Sequence, residues 1–154
     1  MKKATLVVSK YLQKNNFFDE LSKDNRDNIF SPFVLLKKEF LKFNIELNTN
    51  DITLEEDAKF VIYYNLPTVL PTKKDIKKSY LILSESELIR PDNFDMEKLT
   101  YFNKVFTWHD ELVDDKKYFK LNFSHLFPKN INKDIAKKEK LCTLIAGNKK
   151  INHP

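Results

Sequence analysis

Two glutamates stand two residues apart in Ser84-Glu85-Ser86-Glu87, after an apolar run at 80–83 that reads as a strand. In open α/β sheets, ligands bind beyond the carboxyl ends of the strands. A carboxylate held there can act as a general base when a partly buried setting brings it toward neutrality. Two carboxylates at close range favour that, since both are not easily charged together. A solvated acidic loop would have the same spacing. Arg90 ends this segment before Pro91, and it shares with Arg26 the whole arginine content of the chain. Each could bind hydroxyl or anionic groups of a ligand, or form an ordinary surface ion pair. Trp108 and His109 follow another strand-like run and precede Asp110-Glu111. Histidine can move a proton near neutral pH, but the sequence places no Ser or Cys nucleophile beside it. Trp108 could stack on a sugar ring or belong to the core. His109, His125 and His153 are scattered, without the spacing of metal ligands.

Composition narrows the classes of function. The chain has 154 residues, 42% of them hydrophobic and 13% aromatic, enough for one packed domain rather than a disordered chain. The net charge of +5 could attract phosphate, anionic lipid or nucleic acid. Acidic residues are interleaved with the basic ones, however, so no basic stripe points to a nucleic-acid module. Gly147 is the only glycine, which excludes a glycine-rich phosphate loop within these residues. Cys142 is the only cysteine and sits in an apolar run, as a small hydrophobe would. That usage suits a reducing compartment. Lys2-Lys3 looks like the start of a signal peptide, but the apolar stretch at 6–8 is shorter than the roughly 7–15 residues such a peptide needs. No stretch approaches the roughly 20 apolar residues of a membrane span. A cytoplasmic location is expected, with peripheral contact at the inner membrane left open.

The elements that must position these groups alternate in type. Strands are expected at 5–8, 60–64, 80–83 and 104–108; the stretch 44–47 is short and apolar at alternate positions before a turn, and 118–123 alternates apolar and polar in part. Ser31-Pro32 opens a helix, because a Ser hydroxyl meets orphan N–H groups and Pro fits the first turn. Phe33, Leu36, Phe40 and Phe43 recur at helical spacing, with Lys37, Lys38 and Lys42 on other faces. A second helical spacing runs over 94–102. The segment 9–28 reads as a loop with a short turn, 66–78 reads as a loop, and 110–117 is mostly polar. Alternation of strands and helices predicts an α/β fold with a Rossmann-like parallel sheet and flanking helices. A polar stretch at 128–139 reads as an interdomain connector, leaving a first domain at 1–127. The residues 141–146 then read as a further strand, running into Gly147-Asn148.

Taken together, 84–95 (SESELIRPDNFD), 102–113 (FNKVFTWHDELV) and 141–154 (LCTLIAGNKKINHP) resemble the bacterial branch of glycosyltransferase family 10, the α-1,3/1,4-fucosyltransferases. The pieces 28–42 and 43–50 fit its first crossover helix and second strand, so the resemblance spans nearly the whole chain. It implies the N-terminal half of a glycosyltransferase-B fold, with an acceptor-side domain at 1–127 and the first strand and turn of a donor-binding domain at 140–154. The implied reaction moves fucose from GDP-fucose to a hydroxyl of an acceptor glycan, such as an N-acetylglucosamine-containing surface polysaccharide. Inversion in one displacement requires one base. The family's base is a Glu followed by Ser in a Glu-Ser-Pro motif, which Glu85-Ser86 matches. Glu87 stands in the third position and remains the alternative register. Arg90, Trp108 and His109 are the implied acceptor-binding residues, and Gly147, Asn148 and Lys149 the implied donor-binding ones. No cofactor or metal is implied beyond the donor substrate. The partners would be the acceptor glycan and GDP-fucose, without nucleic acid. A reading of a different class stays beside it, in which the chain is a free-standing basic module for nucleic acid or anionic lipid.

Overall fold

The computed structural model describes residues 1–122, 130, 134–137 and 139–140. Six strands form one sheet in which every pair is parallel: β1 (Lys2–Val7), β2 (Ile45–Thr49), β3 (Phe60–Tyr64), β4 (Ser79–Leu83), β5 (Lys104–Thr107) and β6 (Tyr118–Lys120). Their order is β2-β1-β3-β4-β5-β6. The expected α/β fold with a Rossmann-like parallel sheet is therefore present. The strand order reverses at β1, which sits between β2 and β3, so the carboxyl ends of β1 and β3 flank the crevice where such sheets bind ligands.

Side chains alternate across the sheet and build two cores. One face carries Val61, Tyr63, Leu81, Leu83 and Val105 with Leu99 and Phe102 packed on them. The other carries Ala4, Leu6, Leu47 and Ile62 beneath Leu12, Phe17 and Phe30. Leu81, Leu83, Leu99 and Val105 expose no surface at all. Burying each contributes about 1.5–3 kcal/mol, so the first face anchors β3, β4 and β5 together.

Helix α1 (Ser31–Lys42) starts where expected, with Pro32 in its first turn, but Ser31 is itself the first helical residue, Phe30 precedes it as the cap, and no side chain caps the helix. Phe33, Leu36 and Phe40 pack on the second face, and Phe17 stacks on Phe33 with ring centroids 4.1 Å apart. The chain turns out of the helix at Asn44, just beyond the cap Phe43, with a left-handed φ of 57°. Asn is one of the few residues that takes this conformation readily, and here it replaces the usual glycine. The same substitution recurs at Asn15, Asn28 and Asn65, each with positive φ.

The segment 94–102 is not one helix. It divides into a 3-10 turn, Pro91–Phe94, and a single α turn, α2 (Met96–Leu99). Asp95 causes the division: its backbone is extended, and its carboxylate accepts from Lys98 N at 3.3 Å, so it caps a new turn instead of continuing an old one. Segment 9–28, expected as a loop with a short turn, holds three 3-10 turns, at Lys10–Leu12, Asn16–Phe18 and Arg26–Asn28. The loop expected over 66–78 ends in a 3-10 turn, Lys73–Lys78. The expected strand at 141–146, and half of the connector, lie outside the described residues.

Candidate functional site

The carboxyl ends of β3 and β4 are joined by a polar network. Asn65, the first residue after β3, turns its side chain toward the β4 loop. Its Oδ1 accepts from Ser84 N (2.9 Å), Ser84 Oγ (3.0 Å), Glu85 N (3.2 Å) and Asn93 Nδ2 (3.1 Å). Asn93 exposes no surface. Its Oδ1 accepts from Leu66 N at 2.9 Å, and its Nδ2 also donates to Glu85 O at 3.4 Å. Two buried amides thus hold the backbone of Ser84 and Glu85 at the end of a central strand.

Glu85 is half-buried and Glu87 is exposed. Among the described residues, the Glu85 carboxylate accepts no hydrogen bond, although its backbone is tied on both sides. Beside it lies Tyr64, at the end of β3. Burial pushes the Tyr64 phenol up from its ordinary value, with the Glu85 and Tyr11 charges adding to the rise and the Ser84 hydroxyl acting the other way. Tyr64 therefore stays a neutral hydroxyl that can donate, next to a carboxylate that can accept. That pair suits a bound hydroxyl group.

Arg90 serves the loop itself. Its Nε donates to Asp92 Oδ1 at 2.9 Å and its Nη2 to Asp92 Oδ2 at 2.6 Å, while Nη2 also donates to Leu66 O at 2.9 Å. The hydrogen bonds with Asp92 hold the guanidinium pKa above its usual value, and they hold the Asp92 carboxyl below the usual carboxylate range. This fork pins the β4 loop to the strand end of β3.

Trp108 and His109 follow β5 at the same end of the sheet. Phe94, from the turn after the β4 loop, sits 5.6 Å from His109 and 6.5 Å from Trp108, centroid to centroid. The two sequence segments are thus brought together through an aromatic contact. Trp108 Nε1 and His109 Nδ1 are buried without a hydrogen-bond partner among the described residues. Gly147, Asn148 and Lys149 lie outside the described residues. Among the described residues no three His, Cys, Asp or Glu side chains converge as metal ligands, and no helix is long and apolar enough to cross a membrane.

The residues that shape this site most, Asn65, Asn93 and Tyr64, were not singled out by their types. The available signal was Asn65 directly after the apolar run Phe60–Tyr64, at a place where a chain without a nearby glycine needs a left-handed residue.

A groove of about 650 Å³ crosses the α1 face of the sheet. Phe33 and Phe40 of α1, Tyr80, Ile82 and Phe106 of the sheet, and Leu121 and Asn122 line it. The Ser84 and Tyr64 side chains line it too, so the polar site opens beside an apolar trough.

No family model, curated protein or solved structure matches this chain.

Proposed function

We propose that this chain is the acceptor-side half of an inverting fucosyltransferase. Glu85 takes the proton from a hydroxyl of the acceptor glycan, and that oxygen attacks the anomeric carbon of GDP-fucose as the diphosphate leaves. The observation that carries the reading is the state of Glu85. Its backbone is clamped by Asn65 and Asn93 at the carboxyl end of a central parallel strand, while its carboxylate takes no hydrogen bond from any described residue. A general base needs that combination of fixed position and open lone pairs. The Tyr64 hydroxyl beside it would help orient the acceptor. Glu87, exposed on the outer part of the loop, is the poorer base on this argument.

Trp108 and His109 would form the acceptor platform, with Phe94 behind them. Arg90 contributes by keeping the loop in place. The donor nucleotide would be held by Gly147, Asn148 and Lys149 and by a domain beyond them. A surface polysaccharide acceptor would bring the protein to the inner face of a membrane, without insertion.

The test is a transfer assay on the uninterrupted native polypeptide, with nucleotide-sugar donors scanned against N-acetylglucosamine-containing oligosaccharides. Fucose transfer from GDP-fucose is the expected result, with little or none from the 154-residue chain alone. Transfer from none of the donors, or tight and steeply salt-dependent binding of the chain to nucleic acid or anionic vesicles, would overturn the reading.

A further inference from the structure

The loop that follows β1 is fastened to its neighbours. Leu12 and Phe17 sink into the second core, where the Phe17 ring lies 5.2 Å from Tyr64. The carboxyl end of β2 clamps the loop from the other side. Val8 N donates to Asn50 Oδ1 at 3.3 Å, Lys14 N to the two Asp51 carboxylate oxygens at 3.1 and 3.0 Å, and Asn15 N to Thr49 Oγ1 at 2.9 Å. Asn15 Oδ1 in turn accepts from Thr49 N at 2.9 Å. Lys14 and Asn15 both have a left-handed φ of 58°. A lysine seldom adopts that backbone, and the clamp enforces it.

Tyr11 is the large side chain that this fastened loop leaves in solvent. It is 68% exposed, while its neighbour Leu12 is 3% exposed. Asn16 Nδ2 donates to its carbonyl at 3.0 Å. Tyr11 lies in the turn directly after β1, and Tyr64 ends β3, so each belongs to a strand that flanks the crevice. They are close enough for the Tyr11 charge to act on the Tyr64 phenol, as the Glu85 charge does. Both of those charges are negative, which disfavours a phosphate at this place. A neutral ligand with hydroxyl groups suits it better. A sugar ring has an apolar C–H face for an exposed aromatic plate and a hydroxyl rim for Tyr64 and Glu85. A tyrosine on a fixed loop has only two side-chain torsions left to order when it is covered.

We infer that Tyr11 is the stacking residue of a neutral sugar subsite in the crevice between β1 and β3, facing Tyr64 and Glu85. The inference rests on the glycan-acceptor reading above and deepens it. Across the sheet, β1 and β5 are three strands apart, about 14 Å at about 4.8 Å per strand. One sugar ring does not reach both Tyr11 and Trp108. Glu85 follows β4, between them, so the acceptor is an oligosaccharide that passes the base with a ring on Tyr11.

The test is an NMR titration of the 154-residue chain with triacetylchitotriose, a neutral trimer of N-acetylglucosamine. Shifts are expected in the Tyr11 ring and in the Ser84 and Glu85 amides. Tyr11→Ala should weaken binding about tenfold with the melting midpoint unchanged, because the side chain is exposed. Tyr11→Phe and Tyr11→Trp should bind nearly as the parent does. Equal binding by Tyr11→Ala, shifts confined to other parts of the sheet, or no binding at all would each overturn the assignment. Kinetics on the full-length protein separate this subsite from the base. Tyr11→Ala should raise KM for the acceptor with kcat retained, whereas the loss in Glu85→Gln falls on kcat. If the Tyr11 effect alone appears, the subsite stands and the base assignment falls. If the Glu85 effect alone appears, the subsite falls and the base assignment stands.

Discussion

Replacing Asn93 by Ala should be the most damaging single change outside the apolar core. The side chain exposes no surface and makes three interactions: Leu66 N to its Oδ1 at 2.9 Å, and its Nδ2 to Asn65 Oδ1 at 3.1 Å and Glu85 O at 3.4 Å. Alanine leaves the buried Leu66 N–H without its acceptor, which costs about 1–3 kcal/mol. The Asn65 oxygen loses less, since Ser84 N, Ser84 Oγ and Glu85 N still donate to it. The long contact to Glu85 O adds a few tenths of a kcal/mol at most. The total is about 1–4 kcal/mol. For a chain of this length, that lowers the melting midpoint by about 2–16 °C. Urea and thermal denaturation followed by circular dichroism would measure it. Asn93→Asp separates the causes: it keeps the acceptor for Leu66 N but puts a carboxyl oxygen opposite two acceptors, so it should be worse at neutral pH than in mild acid. A loss below about 1 kcal/mol for Asn93→Ala, or no pH dependence for Asn93→Asp, would refute the claim that this amide holds the β4 loop.

Other consequences follow from packing and charge. Leu81→Ala, at a fully buried site on β4, should cost about 2–5 kcal/mol, whereas Leu35→Ala, 56% exposed on α1, should change stability by less than about 0.5 kcal/mol; paired urea titrations would show whether the first face is the stronger core. Asn44→Ala should lose about 1–2 kcal/mol, because alanine resists the left-handed backbone that ends α1, while Asn44→Gly should be near neutral. Burial, and for Tyr63 a hydrogen bond with Glu55, push the Tyr63 and Tyr64 phenols up, so the folded state holds these protons more tightly than the unfolded one. Their contribution is whole below about pH 10, the ordinary phenol value, and falls as pH rises beyond it. Urea midpoints between pH 8 and 11 should decline, and Tyr63→Phe should flatten the decline. On the acid side, Asp114 Oδ1 accepts from the backbone of Lys116, Lys117 and Tyr118, which holds its carboxyl below the usual range. The stability it brings is present above about pH 4 and is lost as pH falls through the folded value, a loss that Asp114→Asn should remove.

Strands were legible where burial on both faces forces an unbroken apolar run. Phe60–Tyr64 is such a run, and its limits match β3. Helix α1 was legible because Pro32 fits its first turn and its inner face is aromatic at helical spacing, although the Ser31 hydroxyl does not cap it. The region 94–102 misled because Asp95 has two readings: a polar residue on an exposed helix face, or a cap. Its neighbours in sequence do not separate them, but the extended backbone after Phe94 does. At the site, the Ser84–Glu87 segment was visible from its position after a strand. Its support was not, because Asn65 and Asn93 lie 28 residues apart and meet only once β3 and β4 pair. Strand order was also illegible, since it depends on which way each connection crosses the sheet. That order is what places the crevice between β1 and β3.

The central claim is that Glu85 is the base. It is tested most directly by turnover of GDP-fucose in the full-length protein, comparing Glu85→Gln with Glu87→Gln at saturating acceptor. A positioned base is worth about 10²–10⁴ in rate. The account predicts a loss of that size in kcat for Glu85→Gln with acceptor binding retained, and near-normal turnover for Glu87→Gln. Full turnover by Glu85→Gln, or the loss appearing in Glu87→Gln instead, would contradict it.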